Sequence, residues 1–303
     1  MLNNMKIEEL IKIVLLFLFL GEEILINPLY CDINTRVKMS RLKRRNYKMR
    51  ILAIGDVVGD VGVKKVKSCL KSIKEKENID FVILNGENSA DMGITEKAFN
   101  EFMNLGIDVI TMGNHTWGKK DIFKFIDNKH LLVPANYNIN LPGNRYGIYE
   151  CNGKKIAVVN LIGRVDVNVL SENPFMAIDD VLEKIKKEAD IVIVDFHAEA
   201  TAEKIAMGYY LDGRVNAVFG THTHVQTADE QIFEKGTAYI TDIGMTGAKK
   251  SIIGMNIEAS IKRFVTTLPE RYKAADGEAM LNGCIIEIND EDCRTMSINR
   301  IMC

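Results

Sequence analysis

Residues 215–224 read Val-Asn-Ala-Val-Phe-Gly-Thr-His-Thr-His, an apolar run followed by two histidines one residue apart. A short apolar run of this kind predicts a buried strand. His222 and His224 lie just beyond its carboxyl end, and if this segment is extended, both imidazoles lie on one side of it. The pair therefore predicts a metal-binding edge of a sheet.

Four earlier apolar runs also end in residues that bind metal ions. Amphipathic stretches separate these runs, a pattern typical of βαβ units and of a mainly parallel, buried sheet. Because open α/β sheets bind ligands beyond the carboxyl ends of their strands, we expect the polar side chains to meet in one place. The four runs are Ile-Leu-Ala-Ile-Gly-Asp56, Phe-Val-Ile-Leu-Asn-Gly-Glu87-Asn88, Val-Ile-Thr-Met-Gly-Asn114-His115 and Ile-Val-Ile-Val-Asp-Phe-His197.

The periodicity predicts an α/β fold in which helices and two halves of strands sandwich together. Asn152-Gly153, between two alternating runs, predicts a β-hairpin. Thr95 is a predicted helix N-cap. Predicted strands cover 50–55, 80–85, 107–112, 190–196, 215–220, 237–242, 282–288 and 294–300, and predicted helices cover 60–77, 95–105, 119–127, 174–188 and 199–211.

Composition indicates one large globular domain without repeats or an internal linker, since the 303 residues are 47% hydrophobic. Residues 1–50 hold ten basic and five acidic side chains, which leaves 29 basic and 36 acidic ones in the remainder. This acidic body argues against binding to duplex nucleic acid. The six cysteines form no CxxC pattern, which favours reduced thiols and a cytoplasmic location, and we expect Cys69 to be a small buried hydrophobe.

The first 48 residues differ from the rest of the chain. The apolar run at 13–21 is too short to span a bilayer, which takes about 20 residues, and Glu8 and Glu9 do not suit a signal peptide. Met49 begins a stretch typical of the start of a cytosolic α/β domain. We interpret residues 1–48 as a leader or a mis-assigned N-terminal extension and 49–303 as a single domain. A membrane-associated extension and a cleaved signal are the alternatives.

Each motif taken alone has an ordinary structural explanation. Asp56 could be a helix N-cap, and a lone histidine at a strand end is often a structural residue. The glycines at 55, 59 and 62 lack the spacing of a dinucleotide-binding loop. His130 has no comparable context, and we expect it at the surface.

The conjunction of the motifs predicts a metal site, because independent structural roles would scatter these residues. Oxygen and imidazole ligands without thiolate suit Fe or Mn, and also Zn. Seven candidate ligands are too many for one ion. Two divalent ions that share a carboxylate would accommodate them and would suit in-line displacement at phosphorus. The candidate ligands are Asp56, Glu87, Asn88, Asn114, His197, His222 and His224.

These motifs, in this order, resemble the calcineurin-like metallophosphoesterases, and most closely the YmdB-type bacterial phosphodiesterases. Matching stretches include Asp-Phe-His-Ala-Glu-Ala-Thr at 195–201 and Thr-Asp-Ile-Gly-Met-Thr-Gly at 241–247, and the resemblance runs from Met49 to about residue 300. Val58 stands where most of the superfamily has a histidine, which is this branch's own pattern. The resemblance implies a four-layer α/β/β/α sandwich with mixed sheets.

The resemblance also implies an assignment of ligands to two ions. Asp56, Glu87, Asn88 and His224 would hold one ion, and Glu87, Asn114, His197 and His222 the other.

The resemblance implies hydrolysis of cyclic nucleotides, 2′,3′-cyclic and also 3′,5′-cyclic ones, as small-molecule substrates of a self-associating protein. His115 is our candidate for the general acid, with phosphate orientation as its alternative role. A phosphomonoesterase or 5′-nucleotidase would use the same centre. A non-catalytic metal-binding protein that regulates RNA metabolism would keep the metals without hydrolysis.

Overall fold

The computed structural model describes residues 48–271 and 273–303. The interpretation of residues 1–48 therefore falls, except for Lys48, outside the described residues and stays a prediction. In the described part of the chain, no helix combines the length and apolarity needed to cross a membrane.

The described residues form two β-sheets and five α-helices. The helices are α1 (Gly59–Glu77), α2 (Glu96–Asn104), α3 (Pro174–Ile185), α4 (Thr201–Leu211) and α5 (Ile257–Thr266). The strands are β1 (Lys48–Ile54), β2 (Asp56–Val57), β3 (Phe81–Asn85), β4 (Val109–Thr111), β5 (Leu131–Leu132), β6 (Tyr146–Cys151), β7 (Lys154–Ile162), β8 (Ile191–His197), β9 (Ala217–Thr221), β10 (Gln231–Ile232), β11 (Ala238–Ile240), β12 (Met245–Ala248), β13 (Ala279–Asn289) and β14 (Thr295–Met302).

Both sheets are mixed. The eight-stranded sheet has the order β2-β12-β13-β1-β3-β4-β5, with β14 paired to β13. β1, β3, β4 and β5 run parallel, whereas β13 is antiparallel to its partners β1, β12 and β14. The six-stranded sheet has the order β10-β11-β9-β8-β7-β6, and its central strands β7, β8, β9 and β11 are parallel.

Alternate residues of the central strands enter different cores, which explains their continuous apolar runs. In β1, Ile51 packs between the two sheets, whereas Leu52 faces α1 and α2. In β8, Ile193 faces the first sheet and Val194 packs with Met207 of α4. Successive side chains of a strand point to opposite faces, so a strand buried on both faces is apolar throughout. The result is the α/β/β/α sandwich that the resemblance implied.

Several local predictions are confirmed. The side chain of Thr95 caps α2 by accepting a hydrogen bond from the backbone of Ala98 at 3.3 Å. Asn152 and Gly153 join β6 to antiparallel β7 and have φ of 51° and 78°. These positive values are those of a two-residue hairpin turn, which Asn and Gly adopt at little cost. Cys69 is buried, and burial raises the pKa of its thiol to about 11.

Other local predictions are wrong. The segment 119–127 forms only a short 3-10 helix, Lys120–Lys124, whose N-terminus has no side-chain cap. The alternative role of Asp56, as the N-cap of α1, is excluded because the N-cap position is Val58. Helix α5 and the short strands β2, β5, β10 and β12 were not predicted. His130 is half-buried, and its ring stacks on Tyr149 at 5.7 Å.

Candidate metal centre

The carboxyl ends of five strands place the predicted ligands together. Asp56 lies two residues beyond β1, and Glu87 lies two residues beyond β3. Asn114 follows β4, His197 is the last residue of β8, and His222 follows β9. Asp56, Glu87 and His197 are fully buried. The site thus lies at one edge of the sandwich, where ends of strands from both sheets meet.

The first group of ligand atoms surrounds the imidazole of His197. Its Nε2 lies 3.3 Å from Glu87 Oε2, 3.0 Å from His222 Nδ1 and 2.8 Å from Asn114 Oδ1. Ligand atoms of Glu87, His197 and His222 all lie within 4.8 Å of one another. One cation could therefore contact them together.

The second group contains Asp56, Glu87 and His224, whose ligand atoms also lie within 4.8 Å of one another. His224 Nε2 is 3.9 Å from Asp56 Oδ1. The amide nitrogen of Asn88 lies 2.9 Å from Glu87 Oε1 and 3.2 Å from His224 Nε2. Glu87 belongs to both groups, as a carboxylate shared between two ions would.

The Asn88 amide is placed with its nitrogen toward this second group and its oxygen toward His115. Amide oxygens bind metal ions, and amide nitrogens do not. Binding of an ion by Asn88 therefore requires the amide to turn by about 180°, which exchanges two atoms of nearly equal size.

The electrostatics of the centre favour a cation. Asp56 Oδ1 is buried and has no hydrogen-bond partner within the described residues. Its Oδ2 accepts a hydrogen bond from the backbone N–H of His222 at 3.1 Å. Burial raises the pKa of Asp56, because the charged form is costly in a dry interior, and His224 and His197 only partly oppose this effect. Burial also acts to raise the pKa of Glu87, but His197 and His115 outweigh it and hold that pKa well below its usual range. The buried carboxylates of Asp56 and Glu87, with one oxygen of Asp56 that accepts no hydrogen bond within the described residues, suit a multivalent cation.

Each histidine of the two groups has its second ring nitrogen held by a neighbour. His197 Nδ1 lies 2.9 Å from Thr221 Oγ1, and His224 Nδ1 lies 2.8 Å from the carbonyl oxygen of Ile253. His222 Nε2 lies 3.1 Å from Glu199 Oε2. Metal-binding imidazoles are usually oriented in this way, because the outer partner fixes the tautomer that leaves the other nitrogen free for the ion.

Sequence reasoning missed these outer partners. Glu199 stands two residues after the predicted ligand His197, and Thr221 stands directly before the predicted ligand His222. These positions in the chain could have indicated both as outer partners. The partner of His224 is a backbone oxygen of Ile253, which no residue type reveals. Gly113 was missed as well. A Cβ at this position would lie 2.3 Å from His197 Nε2 and 2.5 Å from Glu87 Oε2, so only glycine leaves room for the first group.

The segment from His222 to His224 is not extended. β9 ends at Thr221, and His222 and His224 have φ of 101° and 66°. Such values cost non-glycine residues about 1–3 kcal/mol each. The left-handed backbone separates the imidazoles, so that His222 faces the first group and His224 the second.

His115 lies beside both groups, but its ring is not among their ligand atoms. Its backbone N–H donates to Glu87 Oε2 at 3.0 Å, and its Nδ1 lies 2.8 Å from Asn88 Oδ1. The side chain is 28% exposed. The eight predicted residues therefore come together, whereas His130 lies elsewhere, with its Nδ1 bonded to the carbonyl oxygen of Asp108.

Residues 52–301 match the model of the family described as YmdB-like protein. The chain is 49% identical over 256 residues to the Bacillus subtilis (strain 168) protein named 2′,3′-cyclic-nucleotide 2′-phosphodiesterase, and the match covers 84% of this chain and 97% of that protein.

Two solved structures share the fold at a TM-score of 0.80. One is a hypothetical protein from Thermus thermophilus, with 38% identity over 84% of this chain and 99% of that one. The other is a novel phosphatase from Mycoplasma pneumoniae, with 36% identity over 84% of this chain and 93% of that one. The two mixed sheets and their flanking helices are thus of the metallophosphoesterase type, and the chain belongs to the YmdB-like protein family.

Proposed function

We propose that this protein is a phosphodiesterase that hydrolyses cyclic nucleotides, 2′,3′-cyclic and also 3′,5′-cyclic ones, with two divalent metal ions. The observation that carries the proposal is the pair of ligand groups that share Glu87. The name of the Bacillus subtilis relative supports the choice of substrate.

We assign one ion to Asp56, Glu87, Asn88 and His224, and the other to Glu87, Asn114, His197 and His222. Oxygen and nitrogen donors without sulfur favour Fe or Mn and also accept Zn. When bound, such ions lower the pKa of a coordinated water and stabilise the charge that develops at phosphorus.

The protein's own groups orient the substrate and move the proton. We assign to His115 the donation of a proton to the leaving oxygen. The Asn88 amide engages Nδ1 of His115, through its oxygen as placed or through its nitrogen once turned, so Nε2 is the atom free to carry the transferred proton. The partial exposure of the ring gives a substrate access to it, and the hydrogen bond from its backbone to Glu87 fixes its position.

The test is a metal analysis of the purified chain beside a substrate panel. We expect two metal ions per chain and hydrolysis of 2′,3′-cyclic nucleotides. Full activity after exhaustive chelation would contradict the proposal. Bound metal without hydrolysis of even an activated diester would instead indicate a non-catalytic regulatory protein.

A phosphomonoesterase is the second candidate, because the similar Mycoplasma pneumoniae structure is named a phosphatase. Parallel assays of a 2′,3′-cyclic nucleotide and a nucleoside 5′-monophosphate separate the two activities. Faster turnover of the monoester would favour this second candidate.

We also propose that the protein works in the cytoplasm as a homo-oligomer. Free thiols at the described cysteines support the location. Helix α5 leaves Phe264 and Val265 more than three-quarters exposed, which supports burial against another copy. Sedimentation velocity of the wild type and of Phe264→Ser tests the assembly, since a monomeric wild type would exclude it.

A further inference from the structure

A buried ion pair lies beneath the segment that carries His222 and His224. Lys204 of α4 and Asp242, between β11 and β12, are 1% and 0% exposed at their side chains. We propose that Lys204 and Asp242 are positioning residues that hold Thr223, so that the histidines on either side of it face separate metal ions. This inference rests on the proposed function, because it concerns how the same centre is built.

The Asp242 carboxylate is the acceptor at the middle of this arrangement. Its Oδ2 accepts hydrogen bonds from Lys204 Nζ at 2.7 Å, from the Thr223 backbone N–H at 3.1 Å and from Thr223 Oγ1 at 2.8 Å. Its Oδ1 accepts from the backbone N–H of Gly244 at 2.8 Å. Both carboxylate oxygens are therefore used, and three of the four bonds converge on the oxygen that holds Thr223.

The backbone around Thr223 needs such a restraint. The residues before and after it, His222 and His224, have the left-handed φ values that separate their rings. Non-glycine residues keep these conformations only where the surroundings impose them. Thr223 lies at the centre of the strained segment, and its two hydrogen bonds to Asp242 are directed to the same buried oxygen.

Lys204 is the cation partner of this buried carboxylate, at 2.7 Å from its Oδ2. A buried carboxylate without a cation partner is strongly disfavoured, whereas a paired and hydrogen-bonded one is tolerated. A Cβ at Gly220 would lie 1.8 Å from the carbonyl oxygen of Thr241 and 3.0 Å from Lys204 Cδ. The glycine of Gly-Thr-His-Thr-His thus leaves the space through which the lysine side chain approaches Asp242.

A merely structural ion pair would stabilise the packing of α4 without affecting the metal ions. The two roles are separated by measuring Mn²⁺ affinity and stoichiometry together with thermal unfolding of the metal-free protein. The variants are Asp242→Asn, Lys204→Met, and the matched pair Thr223→Val and Thr223→Ser. Asp179→Asn is the control, because Asp179 forms an exposed ion pair with Arg214 that shares none of these hydrogen bonds.

We expect Asp242→Asn and Lys204→Met to weaken Mn²⁺ binding by about 10–100-fold, because two histidine ligands lose the restraint on the backbone between them, a loss comparable with that of an outer partner of a ligand. Thr223→Val should weaken binding by about tenfold, and Thr223→Ser, which keeps the hydroxyl, should bind as the wild type does. Thr223→Val removes no buried charge, so it decides the question if either charge variant fails to fold.

Wild-type affinity in Thr223→Val and in every charge variant that folds would overturn the inference, and if neither charge variant folds, wild-type affinity in Thr223→Val would overturn it alone. So would equal losses in Thr223→Val, Thr223→Ser and Asp179→Asn. A wild-type protein that binds no Mn²⁺, Fe²⁺ or Zn²⁺ would instead refute the proposed function itself, and the two failures are therefore distinguishable.

Discussion

Replacement of His115 by alanine separates proton donation from metal binding. The change removes the imidazole but keeps the backbone N–H that donates to Glu87 Oε2. It also removes the side-chain hydrogen bond between Nδ1 and Asn88 and the 3.5 Å contact between Nδ1 and Glu87 Oε1. The ring belongs to neither ligand group, so both groups keep all their atoms.

The expected cost to stability is small and the expected cost to turnover is large. These two contacts, at a side chain that is 28% exposed, together contribute about 1–2 kcal/mol, so the variant should fold and bind two ions. Loss of a general acid lowers turnover by about 100- to 10,000-fold. This range corresponds to about 3–5 kcal/mol in activation free energy.

The assay compares two substrates whose leaving groups differ in their need for a proton. A 2′,3′-cyclic nucleotide expels an alkoxide, whereas bis-(p-nitrophenyl) phosphate expels a phenolate that is stable near neutral pH. His115→Ala should therefore lose far more kcat on the cyclic nucleotide. Equal losses on both substrates would refute proton donation and favour phosphate orientation, and loss of metal would show that His115 is a ligand.

Four further outcomes are expected at the same centre. Chelation should abolish hydrolysis and lower the Tm, because ions that bind only the folded chain stabilise it. Added Mn²⁺ should restore both the activity and the Tm, and a Tm unchanged by chelation would contradict this expectation. His222→Ala and His224→Ala should each lower the metal content of the folded protein, and full occupancy of both variants by elemental analysis would exclude their roles as ligands. Glu199→Gln should weaken metal affinity by about 10–100-fold in a titration, since Glu199 orients His222; wild-type affinity would make that contact incidental. Gly113→Ala should bind less metal than the wild type, because its Cβ would lie 2.3 Å from His197 Nε2, and normal occupancy would show that the neighbours can yield.

Much of the fold followed from local patterns. The apolar runs near 50, 80 and 190 became β1, β3 and β8, and the Asn152-Gly153 hairpin has the predicted turn. These signals are local because a strand buried on both faces must be apolar at every position, and a tight turn needs residues that tolerate positive φ.

The segment 119–127 shows where local patterns fail. Its apolar residues suggested a helical face, yet only a short 3-10 helix forms there. A hydrophobic pattern does not reveal whether a capping side chain or enough packing surface is available. Helix α5 was overlooked although its sequence carries the signal, since Ile257, Ile261, Phe264 and Val265 stand at helical spacing. What no pattern reveals is that the structure leaves this apolar face exposed.

By itself the sequence determined that ligand-type residues follow the carboxyl ends of several strands, because strand periodicity and residue chemistry are local properties. Only the tertiary structure decided how they are grouped. The left-handed backbone at His222 and His224 directs the two rings to different groups, and an extended strand would not. The contact between Lys204 and Asp242 joins residues 38 apart in the chain. Such contacts depend on the packing of α4 against the sheet, and periodicity carries no information about them.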